Sequence, residues 1–150
     1  MEKETKDMAS DSGSRRGKRK IKGWKGVTIG GYQRVKRTEQ DLLKAVAQGP
    51  ISAGVIFDQS IKDLGKGIWD GKAAVPIEGK YSYHAMVLTG YGTNPDDDKI
   101  FFRFKSSWGT KWGDEGYGKI LRDSSSEDCE VPLIKNAMFA TDIVRVYDGN

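Results

Sequence analysis

Lys105-Ser106-Ser107-Trp108-Gly109-Thr110-Lys111-Trp112-Gly113-Asp114-Glu115-Gly116-Tyr117-Gly118 is the stretch on which the reading of this chain turns. Its glycines permit positive φ in a tight loop, and its two indoles can bury large apolar areas. On its N-terminal side, Ile100 to Lys105 reads as a strand; on its C-terminal side, Gly116 to Arg122 reads as another. Further upstream, Tyr83-His84-Ala85-Met86-Val87 contains the only histidine, and His84 to Gly92 predicts a strand closing on a glycine pair. Between these strands, Asn94-Pro95-Asp96-Asp97-Asp98 predicts a turn.

The rest of the chain extends this pattern. Val27-Thr28-Ile29 predicts a short strand stopped by Gly30-Gly31. Thr38 is an N-cap candidate with Asp41 three residues on, like a capping box with the shorter acid. Leu42, Leu43, Val46 and Ala47 follow at helical spacing, and Gly49-Pro50 predicts a stop with Gly49 in the left-handed region. Ile51 to Phe57 predicts a strand, Asp58 to Tyr81 a polar, glycine-rich connection, and Ala140 to Val146 a last strand. One helix followed by about five strands implies an α+β domain built on an antiparallel sheet.

At 150 residues the chain has room for one domain. A chain of that size buries roughly 68–70% of the surface its unfolded form exposes. No apolar run approaches the ~20 residues that cross a bilayer, so no membrane partner is expected. The N-terminus shows no apolar segment of the signal-peptide kind. The net charge is +4 and unevenly placed: residues 1–26 carry nine basic and four acidic side chains. We expect residues 1–26 to be a disordered basic arm and 27–150 the folded domain. The cluster Arg15 to Lys22 could attract nucleic acid weakly, but base-reading aromatics and a nucleic-acid fold are lacking.

The His84 segment and the Lys105-Ser106-Ser107-Trp108-Gly109 motif together resemble the C-terminal half of a papain-like cysteine protease. The match extends from about Ile29 to Val146 and implies a papain-like C-terminal antiparallel β-barrel domain with one N-terminal helix. In that family a Cys thiolate attacks a peptide carbonyl and a histidine serves as base and acid. The resemblance assigns that histidine to His84. It assigns to Ser106 the position of the asparagine that orients the imidazole, part of the Cys-His-Asn arrangement. A serine hydroxyl is shorter and has no amide carbonyl; it can meet the ring directly or through water. Trp108 resembles the tryptophan that keeps water from the histidine, and Ala85 a wall residue of the substrate pocket. Tyr83 stands where the family has Asp or Asn.

Two departures bear on activity. The family's nucleophile motif and its helical half would lie upstream, yet only 83 residues precede His84. Its N-terminal helical domain is therefore expected to be absent. The sole thiol, Cys129, lies between acids in Glu127-Asp128-Cys129-Glu130, which oppose thiolate formation. By resemblance Cys129 falls near a cysteine that pairs with one shortly before the histidine; Pro76-Ile77-Glu78-Gly79-Lys80 offers none. The expectation is a papain-like form without its nucleophile, inactive alone. The alternative is a non-catalytic module that binds a peptide, a protein, or a chain carrying the nucleophile half. No cofactor is expected. Asp96-Asp97-Asp98 lacks the ligand ladder of a calcium loop, and Gly90-Tyr91-Gly92 lacks a dinucleotide fingerprint, so no metal site is expected.

Overall fold

The computed structural model describes residues 25–122 and 132–148, with side chains placed for 29–122 and 132–142. The basic cluster Arg15 to Lys22 and Cys129 lie outside the described residues. Nine elements follow in order: β1 (Lys25–Arg34), α1 (Glu39–Gln48), β2 (Ile51–Ile56), α2 (Gln59–Lys62), β3 (Ile68–Trp69), β4 (Tyr83–Thr93), β5 (Ile100–Lys105), β6 (Tyr117–Leu121) and β7 (Ile134–Asp148). The strands form one sheet in the order β1-β7-β2-β4-β5-β6-β3. Every pairing is antiparallel except the two-residue contact of β3 with β6. The α+β domain on a mostly antiparallel sheet expected from the sequence is the fold observed.

The core lies on one face of that sheet. Alternation along β2 turns Ile51, Ala53 and Val55 inward, and along β4 it turns Met86 and Leu88 inward. Phe102 and Phe104 on β5 and Ile120 on β6 complete the stripe, each fully buried. Helix α1 lays Leu42 and Val46 into the same core. Its start follows the expected capping chemistry: the Asp41 amide donates to Thr38 Oγ1 at 3.1 Å, and that hydroxyl donates to the Asp41 carboxylate at 2.7 Å. Beside that cap, Arg122 Nε donates to Glu39 Oε1 at 2.7 Å and ties the end of β6 to the start of α1.

Several local expectations are corrected. Gly30-Gly31 does not stop β1, which runs on to Arg34 beside β7. A Cβ at Gly30 would stand 2.8 Å from Asp142 Cβ, so the glycine admits close approach of the two strands. Gly49 does not adopt the left-handed region: its φ of 160° and ψ of 177° are extended, which leads straight into β2. The connection from Asp58 to Tyr81 contains α2 and β3. Helix α2 is capped by Asp58, whose carboxylate accepts from the Ser60 amide at 2.8 Å. Strand β7 starts at Ile134, six residues before the expected last strand. No described helix is long and apolar enough to cross a membrane.

Candidate active site

His84 ends the inward stripe of β4 that begins with Leu88 and Met86, and it pairs with Val55 of β2. Ser106 follows the last residue of β5, where Phe102 and Phe104 point inward. By the same alternation Ser106 faces the same side as His84. The neighbouring strands β4 and β5 thus bring both residues to one end of the sheet. Ser106 is buried, at 7% exposure, and is the one polar side chain among the buried residues described.

Trp108 joins the two. Its indole stacks on the imidazole of His84 with ring centres 5.4 Å apart and planes 10° apart. Its backbone N–H donates to Ser106 Oγ at 3.2 Å. Phe57, just past β2, completes a triangle of rings, 5.7 Å from His84 and 5.4 Å from Trp108. Trp112 meets Trp108 edge-on at 4.9 Å and Phe104 at 5.8 Å, so ring contacts run from the core to the histidine. Each such pair contributes about 0.5–1.5 kcal/mol beyond area burial. Helix α2 fixes the far side of this chain, because Trp112 Nε1 donates to the Lys62 carbonyl at 2.9 Å. The loop glycines Gly109, Gly113 and Gly116 all have positive φ. At Gly113 a side chain is also excluded by the Tyr117 carbonyl, 2.3 Å from where Cβ would stand.

The electrostatics around His84 are sparse. Nε2 is buried without a hydrogen-bond partner among the described residues. The ring is oriented by stacking rather than by a bond to Ser106, whose hydroxyl is engaged by the Trp108 amide. Just ahead of β7, the Pro132 carbonyl accepts from the Tyr83 hydroxyl at 2.9 Å. The Lys135 ammonium lies 3.4 Å from the Tyr83 ring centre. Ala85 is exposed and alternates to the opposite face from His84, paired with Gly54. The structure therefore brings His84, Ser106 and Trp108 together and sets Ala85 beside them across the strand. Among the described residues no group of His, Cys, Asp and Glu could hold a metal ion. The open clefts elsewhere, lined in part by Arg34, Val35 and Lys135, include neither His84 nor Ser106.

Phe57 and Lys62 were not singled out by the sequence. Phe57 extends an apolar run that breaks the alternation of β2, which is the one local signal that it does something other than continue the strand. Lys62 acts through its backbone carbonyl, which leaves no trace in residue type.

Comparison with known proteins places this arrangement. The family model described as papain family cysteine protease matches residues 2–140. The cysteine protease XCP2 of Arabidopsis thaliana is 34% identical over 119 residues, covering 77% of this chain and 31% of that protein. A cathepsin L-like proteinase of Phaedon cochleariae is 34% identical over 99 residues, covering 65% of this chain and 29% of its own. The chain thus spans about a third of the length of these relatives. Among solved structures, the bromelain protease of Ananas comosus in complex with the E64 inhibitor superposes with a TM-score of 0.64 at 28% identity, over 76% of this chain and 51% of that one.

Proposed function

Because the chain belongs to the papain family of cysteine proteases, we propose that it is the histidine-bearing β domain of such an enzyme and that, by itself, it does not cleave peptides. The observation that carries this reading is the His84 ring, held by Trp108 and Phe57 and without a hydrogen-bond partner at Nε2 among the described residues. In the family reaction a neutral imidazole takes the thiol proton, the thiolate attacks the peptide carbonyl, and the imidazolium returns the proton to the leaving amine. Water then hydrolyses the acyl-enzyme. His84 can hold and return that proton, with Ser106 at the position the family uses for orientation and Trp108 stacked on the ring, excluding water. The thiolate must be placed within hydrogen-bond reach of His84 for any of this to proceed. No described residue supplies one, and Cys129 sits among acids that disfavour its ionisation.

The second reading is a non-catalytic module that binds a peptide or a protein, including a polypeptide that carries the nucleophile. It is favoured by the unpaired Nε2, since a working base gains from a fixed partner there. A labelling experiment tests the nucleophile assignment common to both readings. Purified chain is treated with a peptidyl epoxide and, separately, with iodoacetamide. We expect Cys129 to react at the rate of an ordinary thiol, unchanged by His84→Ala. Rapid labelling that His84→Ala abolishes would show an activated thiol and end the proposal.

A further inference from the structure

Two open clefts lie where the end of β1, helix α1 and the start of β7 converge. One holds about 570 Å³, and its charged residues are Arg34, Arg37 and Lys135, with no acid. The other holds about 450 Å³, and its charged residues are Arg34, Lys36, Lys44 and Asp41. Arg34 and Val35 line both clefts and form a common wall. Five cations and one acid therefore line the pair. That acid is already engaged, since the Asp41 carboxylate accepts from the Thr38 hydroxyl at 2.7 Å. Other basic side chains find acids: Lys66 meets Asp114, Lys72 meets Asp70, Lys99 meets Asp97 and Arg122 meets Glu39. Among the described residues, Arg34, Lys36 and Lys44 make no ion pair. Cations gathered around a concavity focus a positive potential into it, and an anion relieves their repulsion.

The wall between the clefts is pre-formed. The Val35 amide donates to the Ala137 carbonyl at 2.9 Å, and the strand register sets Arg34 opposite Met138. Binding there needs little ordering of backbone. The chemistry of the lining selects the ligand. Arg34 and Arg37 each carry the forked N–H donors that fit phosphate oxygens, and the lysines add point charges. Five cations less one acid leave four positive charges. A phosphate monoester carries about −1.5 to −2 near neutral pH, so roughly two or three such groups balance them. Clefts of this size suit a small molecule. A stacked base is disfavoured, because Phe139 is the one ring lining either cleft and it packs against the core. We propose that the joined clefts bind a compact polyphosphate, either a soluble small molecule or a lipid headgroup with several phosphates, and that Arg34 contacts it from the shared wall. This inference does not depend on whether the chain cleaves peptides.

Calorimetric titration of the full chain with inositol hexakisphosphate at physiological salt tests it, with inorganic phosphate as the single-anion arm. Co-sedimentation with phosphatidylcholine vesicles, with and without phosphatidylinositol bisphosphate, separates the two sources. We expect saturable binding of the hexakisphosphate and much weaker binding of inorganic phosphate. Sedimentation only with the phosphoinositide assigns a lipid headgroup; none assigns a soluble ligand. Arg34→Gln and Lys44→Gln change exposed side chains, and melts without ligand check that each variant folds. Each should weaken binding roughly tenfold, as the loss of one charge-assisted contact does. Lys111→Gln removes an exposed charge that lines neither cleft and should leave the affinity unchanged. Failure to bind the hexakisphosphate, equal affinity for inorganic phosphate, or an equal loss in Lys111→Gln would overturn the proposal. Binding that neither Arg34→Gln nor Lys44→Gln weakens would place the ligand on the basic cluster Arg15 to Lys22 and would overturn it too.

Discussion

The histidine is held by carbon rather than by charge. Trp108 lies parallel to His84, Phe57 packs at a tilt against both rings, and Trp112 relays the contact to buried Phe104. Gly118 is the hinge on which this relay depends. A Cβ there would stand 2.5 Å from Phe104 Cζ and 2.8 Å from Trp112 Cη2. Phe104 is fully buried and cannot swing away. Gly118→Ala should therefore destabilise the fold by about 1–3 kcal/mol, the usual cost of overpacking a filled core. Urea unfolding measures this, and the His84 ring-proton shifts should move with it as Trp108 is displaced. An unchanged unfolding midpoint would show that the rings have room the packing does not suggest. The sequence placed Gly118 in the strand that follows the Trp-Gly loop, where the structure also has it. That it serves Phe104 and Trp112 was not legible there, because the clash runs between strands and across the loop.

Helix α2 is the element that most affects the site while carrying none of its chemistry. It is four residues long and has no periodicity to reveal it. Its signal is a cap: Asp58 accepts from the Ser60 amide at 2.8 Å and from the Val75 amide at 2.8 Å, binding the long connection to the helix. Ser60 in turn accepts from Trp69 Nε1 at 3.0 Å. Burial pushes the Asp58 carboxyl up, but the Ser60 hydroxyl and the backbone amides of Val75, Ser60 and Ile61 outweigh it and hold the group below its ordinary 3.8. A depressed folded-state value adds stability above the unfolded one and loses it as pH falls through the folded one. Asp58→Asn should thus be less stable than the native chain at neutral pH. The difference should shrink as pH drops below 3.8. Parallel thermal melts across that range check the sign; a gap that widens in acid would contradict it. Helix α1, by contrast, was legible to the residue, since Thr38, Asp41, Leu42 and Val46 carry cap and face in the sequence itself.

At the scale of the whole molecule, the sheet order puts the histidine strand β4 between β2 and β5, so that three consecutive strands supply Phe57, His84 and Ser106 to one end. The strands from Ile51 to Leu121 were largely visible as alternating runs. The edge was less so: β1 passes through two glycines and β7 opens six residues early, because their pairing with each other overrides local preference. The family match then accounts for why a lone histidine stands at this end of the sheet. The resemblance gives Ser106 the place of an asparagine, and among the described residues His84 Nε2 has no hydrogen-bond partner. Those two facts support the view that this domain holds a base without the means to use it alone.

Hydrolysis of a panel of peptidyl-coumarin substrates by the purified chain, run beside His84→Ala, tests that view most directly. The account predicts the same background rate for both proteins with every substrate. Turnover above background in the native chain that disappears in His84→Ala would contradict it.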